Sequence, residues 1–168
     1  MLRLSVASTA RDLAEVRALC WAYHDFLLNN SSTDREITET FYPAAKYAAL
    51  MGKLAQEHAR PNGIILLARL DDQVVGCGMT HALNPQTSEM KRVFVNDVAR
   101  GKGVAAQLCS ALMDQARADG FTRMVLDTSK SLTSAQRLYT RLGFKACGPY
   151  QPIPDAVLPA LLFYEIAL

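Results

Sequence analysis

The sequence lacks the features that mark metal, redox and membrane proteins. Cys20, Cys77, Cys109 and Cys147 are far apart, and neither they nor the three histidines have the spacing of a zinc or thiol redox motif. No window approaches the run of about 20 apolar residues that a membrane helix needs, and no signal-peptide pattern opens the chain. These absences predict free buried thiols, no metal, no membrane partner and a cytoplasmic location.

A strong excess of charge of either sign is also missing. Charged residues make up 20% of the sequence and the net charge is +2, which does not favour a disordered or a nucleic-acid-binding protein. Hydrophobic residues make up 50% of the 168 residues, enough for one buried core. We therefore expect a single domain over residues 1–168, with its functional charge placed locally.

Hydrophobic periodicity predicts an α/β fold of the α+β type, with about seven strands and about four helices. The strand segments are LRLSV, GIILLARL, QVVGCGMTHAL, SEMKRVFV, TRMVLDTS, FKAC and ALLFYEIAL. The first helix begins after a Thr9–Asp12 capping pair, and the second spans residues 44–59. The third runs from Gly103 to Gly120, and the fourth ends at Gly143. Asp71 and Asp72 indicate a hairpin turn, and the polar segment NNSSTDREITET predicts an exposed loop.

The fourth strand segment carries two adjacent cations. Lys91 and Arg92 follow one another in SEMKRVFV. Successive strand residues point to opposite faces of a sheet, so one charge would face each side unless a bulge interrupts the strand. Either arrangement predicts an irregular strand here.

A glycine-spaced basic turn follows that strand and precedes an amphipathic helix. Gly101 and Gly103 let a ligand approach the main chain closely, while Arg100 and Lys102 add positive charge. The N-terminus of a helix presents unpaired N–H groups and the positive end of the peptide dipoles. The turn therefore predicts a phosphate-binding site.

Two phosphate-binding motifs compete for this turn. A P-loop needs Lys followed by Ser or Thr after its last glycine, whereas Val104 and Ala105 stand there. The dinucleotide fingerprint GxGxxA fits Gly101, Gly103 and Ala106, but the segment NDVAR separates the turn from its strand and the remaining chain is short for two nucleotide-binding halves. A dinucleotide-binding Rossmann-like protein remains the weaker alternative.

A third motif fits a longer stretch. RGKGVA, at residues 100–105, matches the (Q/R)xxGx(G/A) pyrophosphate loop, and AQRLYTRLGF matches a later helix with its tyrosine and terminal Gly-Phe in register. Residues 89–147 resemble the GNAT superfamily of N-acetyltransferases. The resemblance implies a mixed, mostly antiparallel sheet whose fourth and fifth strands part around the pantetheine arm of acetyl-CoA.

The resemblance also implies which groups hold the coenzyme. Main-chain groups of three strand residues would pair with the pantetheine arm and the acetyl carbonyl, and a loop would hold the pyrophosphate. Polar contacts would come from the next strand and helix, although family members often have Asn where this chain has Leu132. The implied coenzyme-binding residues are Val93, Phe94, Val95, Arg100, Gly101, Lys102, Gly103, Val104, Ala105, Thr128, Ser131 and Ser134.

Acetyl transfer to an amine needs a proton acceptor and a proton donor, because an alkylammonium titrates near ~10.4. By the resemblance, Glu89 is the candidate base at the start of the fourth strand, and Tyr139 is the general acid beside the thiol of CoA. Main-chain N–H groups near Val93 to Val95 would stabilise the oxyanion. Tyr23, Tyr42 and His81 are candidates for the acceptor pocket.

The sequence therefore predicts an acetyl-CoA-dependent N-acetyltransferase that acts by direct transfer in a ternary complex. Its acceptor is a primary amine of a small molecule or peptide whose identity the sequence does not reveal. A CoA-binding sensor without turnover is the alternative from another class. The family and the apolar final strand favour a homodimer.

Overall fold

The computed structural model describes residues 1–168, and it contains seven strands and six α-helices. The strands are β1 (Leu2–Val6), β2 (Ile64–Leu70), β3 (Gln73–Ala82), β4 (Thr87–Val95), β5 (Arg123–Ser129), β6 (Lys145–Cys147) and β7 (Leu161–Ala167). The helices are α1 (Ala10–Asn30), α2 (Ser32–Phe41), α3 (Ala44–Gly52), α4 (Leu54–Glu57), α5 (Val104–Ala118) and α6 (Thr133–Arg141). Short 3₁₀ turns lie at Asp97–Ala99 and Leu158–Ala160.

All seven strands form one sheet in the order β1-β2-β3-β4-β5-β7-β6. Only β4 and β5 are parallel, and the other neighbours are antiparallel. The predicted mixed, mostly antiparallel sheet is therefore confirmed, and it does not resemble the parallel sheet of a dinucleotide-binding fold. The final strand β7 pairs with β5 along its length and with β6 only at Phe163–Glu165, and the homodimer stays a prediction.

Two cores cover the two faces of the sheet. On one face Leu108 and Leu112 of α5 pack with Met124 of β5, and all three side chains are inaccessible to solvent. On the other face Val16 of α1 packs with Leu67 and other strand residues, together with Tyr47 of α3. A third, smaller core lies under the segment before β7. The helices thus sandwich the sheet between two layers.

Local signals in the sequence explain several element ends. Thr9 and Asp12 form the predicted capping box, in which the Asp12 amide donates to Thr9 Oγ1 at 3.0 Å and the Thr9 amide donates to Asp12 Oδ2 at 3.1 Å. Asp71 and Asp72 form the predicted hairpin turn with φ of 49° and 67°. None of the helices has both the length and the apolar character that a membrane crossing requires.

Two predictions about the segments between β1 and β2 were wrong, one of a loop and one of a helix. The segment 29–40 is not an exposed loop, because α1 extends to Asn30 and α2 begins at Ser32. Ser31 caps α2 by accepting from the Asp34 amide at 3.0 Å, and Asp34 is itself buried through side-chain hydrogen bonds that the composition did not reveal. The helix predicted over residues 44–59 is divided at Lys53 into α3 and α4.

Candidate active site

A cleft opens where β4 and β5 part. The two strands pair only from Thr87 to Glu89, with Glu89 opposite Val125. Beyond this point they separate and enclose a cleft of about 430 Å³, whose walls come from α1, α2 and α6 as well as the two strands. The separated strand backbones leave room for an extended ligand with its own hydrogen-bonding groups.

The predicted irregularity of β4 is a bulge at Arg92. Cys77 lies opposite Phe94 and Met79 lies opposite Lys91, so two residues of β4 face the single residue Gly78. Arg92 has a φ of 52°, a conformation that side chains other than glycine rarely adopt. The bulge turns the backbone of β4 at the middle of the cleft, where strand irregularities often direct groups at a ligand.

The glycine turn ends directly at the start of α5. Gly103 is the N-cap residue with a φ of 76°, Gly101 has a φ of 77°, and no side chain caps the helix. The first amides of α5 are therefore free to bind an anion. Arg100 lines the cleft, where it pairs with Asp97 at 2.7 Å and lies over the ring of Phe26. This arrangement fits a pyrophosphate group.

Glu89 lies in the cleft, two residues inside β4 rather than at its first position, and only 2% of it is exposed. Its carboxylate accepts hydrogen bonds from His81 Nε2 at 2.6 Å and from the Tyr150 hydroxyl at 2.5 Å, and Lys91 Nζ lies 3.5 Å away. Burial alone would raise the pKa of Glu89. The His81 hydrogen bond, the Lys91 charge and the Tyr150 hydrogen bond outweigh it and lower this pKa to about 2.

A second carboxylate, Asp127 of β5, lines the same part of the cleft. Its Oδ2 accepts a hydrogen bond from the Tyr150 hydroxyl at 3.4 Å, so Tyr150 bridges Asp127 and Glu89. Burial raises the pKa of Asp127, since it outweighs the nearby Lys91 charge. Two carboxylates with pKa values shifted in opposite directions are typical of acid–base sites. No pattern in the sequence indicated Tyr150, which lies in a proline-rich loop.

Tyr139 of α6 lines the cleft from the side opposite β4. Its ring packs against Phe144 at 5.9 Å and Tyr164 at 6.0 Å between centroids, and the residue is 9% exposed. Burial raises the pKa of Tyr139 well above its usual value, so the hydroxyl stays protonated at neutral pH. The side chain therefore belongs to the core and also lines the cleft.

The three polar residues predicted beyond β4 all line the cleft. Thr128 is buried in β5, Ser134 lies in the first turn of α6, and Ser131 lies between these elements. Ser131 donates to Asp34 Oδ1 at 2.6 Å and thereby links α2 to the β5–α6 turn. Asp34 was missed because its burial depends on this contact from a residue 97 positions away.

The residues predicted for the acceptor pocket have different positions. Tyr23 lines the cleft and stacks on Phe94, with 5.3 Å between ring centroids. Tyr42 also lines the cleft, beneath the guanidinium of Arg92. His81 does not line it and lies behind Glu89, to which it is hydrogen-bonded. His81 therefore contacts Glu89, a carboxylate of the site, and does not contact the cleft itself.

Comparison with known proteins identifies the family. Residues 29–144, more than half of the chain, match the model of the acetyltransferase (GNAT) family. An uncharacterized N-acetyltransferase of Schizosaccharomyces pombe is 36% identical over 61% of this chain and 65% of its own length. The IAA acetyltransferase of Azospirillum brasilense is 36% identical over 66% of this chain and 71% of its own length. The matched region thus spans about two thirds of each relative.

A solved structure has the same fold over the full chain. It is the protein yncA of Salmonella typhimurium with its cofactor acetyl-CoA, and it superposes with a TM-score of 0.67 and 20% identity over 99% of this chain and 93% of that chain. At this identity the likeness concerns the fold. With the family match, it confirms the predicted superfamily, fold class and enzyme class, so the chain belongs to the GNAT family of N-acetyltransferases.

Proposed function

We propose that this protein transfers the acetyl group of acetyl-CoA directly to a primary amine held in the same cleft. The observation that carries the proposal is the parting of β4 and β5 beside an uncapped helix N-terminus. One end of this cleft suits a pyrophosphate, its middle suits an extended arm, and its far end holds two carboxylates. Acetyl-CoA would supply an activated thioester there.

The coenzyme would be held mainly by the main chain. Amides at residues 101–105 would bind the pyrophosphate, with Arg100 and Lys102 adding charge, and the unpaired edge of Val93, Phe94 and Val95 would pair with the pantetheine arm. Amides near the bulge at Arg92 would stabilise negative charge on the acetyl oxygen. Thr128, Ser131 and Ser134 would make contacts from the opposite wall.

The carboxylates would take the proton of the amine. Glu89 stays ionised, so it attracts an ammonium group, while the raised pKa of Asp127 makes it the stronger proton acceptor. Tyr150 joins the two groups, so we treat them as one proton-accepting pair. This retains Glu89 as the predicted base and adds a partner to it.

Tyr139 would protonate the leaving thiolate. Its raised pKa keeps the hydroxyl protonated until the thiolate forms. Tyr139→Phe should lower kcat by about 10²- to 10⁴-fold while CoA still binds, because only the proton donor is lost. Thiol release from acetyl-CoA with an amine panel measures this effect.

Tyr164→Phe is the matched control, since Tyr164 packs on Tyr139 but does not line the cleft. Equal rates for wild type and Tyr139→Phe would contradict the general-acid role. Tight CoA binding without thiol release from any amine would favour the non-catalytic sensor instead. A cytoplasmic location remains a prediction.

A further inference from the structure

The bulge in β4 brings two adjacent cations to the same face of the sheet. Met90, Val93 and Val95 pack toward the α5 core, so the regular alternation is broken between Lys91 and Arg92. Both side chains consequently line the cleft, on the face that also carries Glu89. A strand without the bulge would have directed one of these charges into the α5 core.

The two cations differ in their partners. Lys91 lies 3.5 Å from the carboxylate of Glu89. The guanidinium of Arg92 has no carboxylate within salt-bridge distance and instead lies over the rings of Tyr42 at 5.6 Å and Tyr47 at 5.9 Å. It donates a hydrogen bond to the sulfur of Met79 at 3.9 Å and also contacts the side chain of Tyr47. No carboxylate of the protein therefore pairs with the guanidinium of Arg92.

The guanidinium of Arg92 is half-buried in the wall of the cleft, so an anionic ligand there would supply the acceptor that the protein does not. Charged groups removed from water are ordinarily paired, and a planar guanidinium matches a carboxylate with two parallel hydrogen bonds. Arg92 also holds a positive φ, and such strain is retained where the surrounding structure and function require it. Two independent features, the missing partner and the backbone strain, thus occur at one residue of the cleft.

We infer that the acceptor is an amino carboxylate, an amino acid or a related molecule whose carboxylate binds Arg92 while its amine lies near Glu89 and Asp127. This inference rests on the proposed function. Tyr23, Phe41 and Tyr42 line the same cleft and give an apolar surface for a side chain. Arg92 is then the residue that selects amines carrying a carboxylate over amines without one.

The test compares matched substrates at saturating acetyl-CoA. For wild type and Arg92→Met, kcat/KM is measured with L-phenylalanine and L-phenylalaninamide, and with L-leucine and L-leucinamide. The acid-to-amide ratio should fall by about 10- to 100-fold in Arg92→Met, because charge-assisted hydrogen bonds are lost. Comparing ratios cancels the different basicity of the two amines. Arg92→Lys, which keeps the charge, should retain part of the ratio.

The control variant is Arg117→Met, whose arginine pairs with Asp114 on the outer side of α5 and should leave the ratio unchanged. Binding without turnover is followed by the thermal shift of the CoA complex with N-acetyl-L-phenylalanine and with its amide. The melting temperature of each variant and its affinity for CoA show whether it has folded.

The outcomes separate this inference from the function on which it rests. Acetylation of amides with the same acid-to-amide ratio in wild type and Arg92→Met would overturn the carboxylate site and leave the acetyltransferase intact. Loss of CoA affinity in Arg92→Met with an unchanged acid-to-amide ratio would show that Arg92 binds the coenzyme. This result would also overturn the carboxylate site. CoA binding without acetylation of any amine would instead overturn the proposed function.

Discussion

The end of the cleft proposed to hold the coenzyme is built mainly from main-chain groups, whereas the end proposed to hold the acceptor is built from side chains. At the coenzyme end, two glycines with positive φ and the first turn of α5 present amides to an anion. At the acceptor end, Glu89, Asp127 and Tyr150 come from β4, β5 and the loop before β7. The first arrangement suits one invariant coenzyme, while the second can change with the acceptor.

This comparison predicts the largest effect at the acceptor end. Glu89→Gln and Asp127→Asn should each lower kcat/KM by about 10²-fold or more, since the first removes the anion that attracts the ammonium group and the second removes the stronger proton acceptor. Affinity for CoA should change little. Steady-state kinetics and CoA titration measure both quantities.

The pH profile sharpens the same prediction. Asp127 acts only when ionised, so kcat/KM should fall as the pH drops through its raised pKa, and Asp127→Asn should lack this limb. Asp114→Asn, on the exposed face of α5, is the control. A wild-type rate in both cleft variants would place the proton transfer elsewhere.

A smaller effect concerns stability behind the acceptor end. His58 Nδ1 donates a hydrogen bond to the Thr80 carbonyl at 2.8 Å, its ring packs against His81, and burial lowers its pKa from 6.5 to about 4. The unfolded chain takes up this proton near 6.5, so the stabilisation is present above that pH and is lost as the pH falls toward 4. We expect a loss of about 2 kcal/mol between pH 7 and pH 5.

Denaturant titrations at these two pH values measure this loss. His58→Asn places an amide near the position of Nδ1 but does not titrate, so its free energy of unfolding should depend less on pH over this interval. An unchanged pH dependence in His58→Asn would show that other groups cause it.

The smallest predicted effect comes from comparing Gly103, in the turn before α5, with Gly120, which follows the other end of the same helix. Gly103→Ala and Gly120→Ala each place a side chain at positive φ, with φ of 76° and 91°, and each should cost about 1–2 kcal/mol of stability. Only Gly103→Ala should also weaken CoA binding, by about tenfold. Isothermal titration and thermal unfolding of both variants test this. Equal CoA affinity in the two variants would show that the turn does not bind CoA.

The same difference explains what the sequence could predict. The turn at residues 100–105 was predictable because glycine spacing, local charge and a helix start occur within one short segment. The position of Tyr139 beside the cleft was predictable because the helix motif places it in register. These features are local, and the family match confirms the family and the fold that they indicated.

The acceptor end depends on contacts between distant residues. Segment 29–40 was predicted to be an exposed loop because its composition is polar, whereas the burial of Asp34 depends on hydrogen bonds from Asn30 at 2.6 Å and Ser131 at 2.6 Å. Tyr150 reaches Glu89 across 61 positions of sequence. The bulge at Arg92 was predicted as one of two possibilities, but its consequence, two cations on one face, follows only from the register between β3 and β4.

We propose that main-chain amides at residues 101–105 hold the diphosphate of CoA. A titration of ¹⁵N-labelled protein with CoA, followed by amide chemical shifts, tests this contact residue by residue. We expect the largest shifts at Gly101, Gly103, Val104 and Ala105, with smaller shifts along Val93 to Val95. Saturable binding that leaves the amides of the turn unshifted, with the largest changes elsewhere, would contradict it.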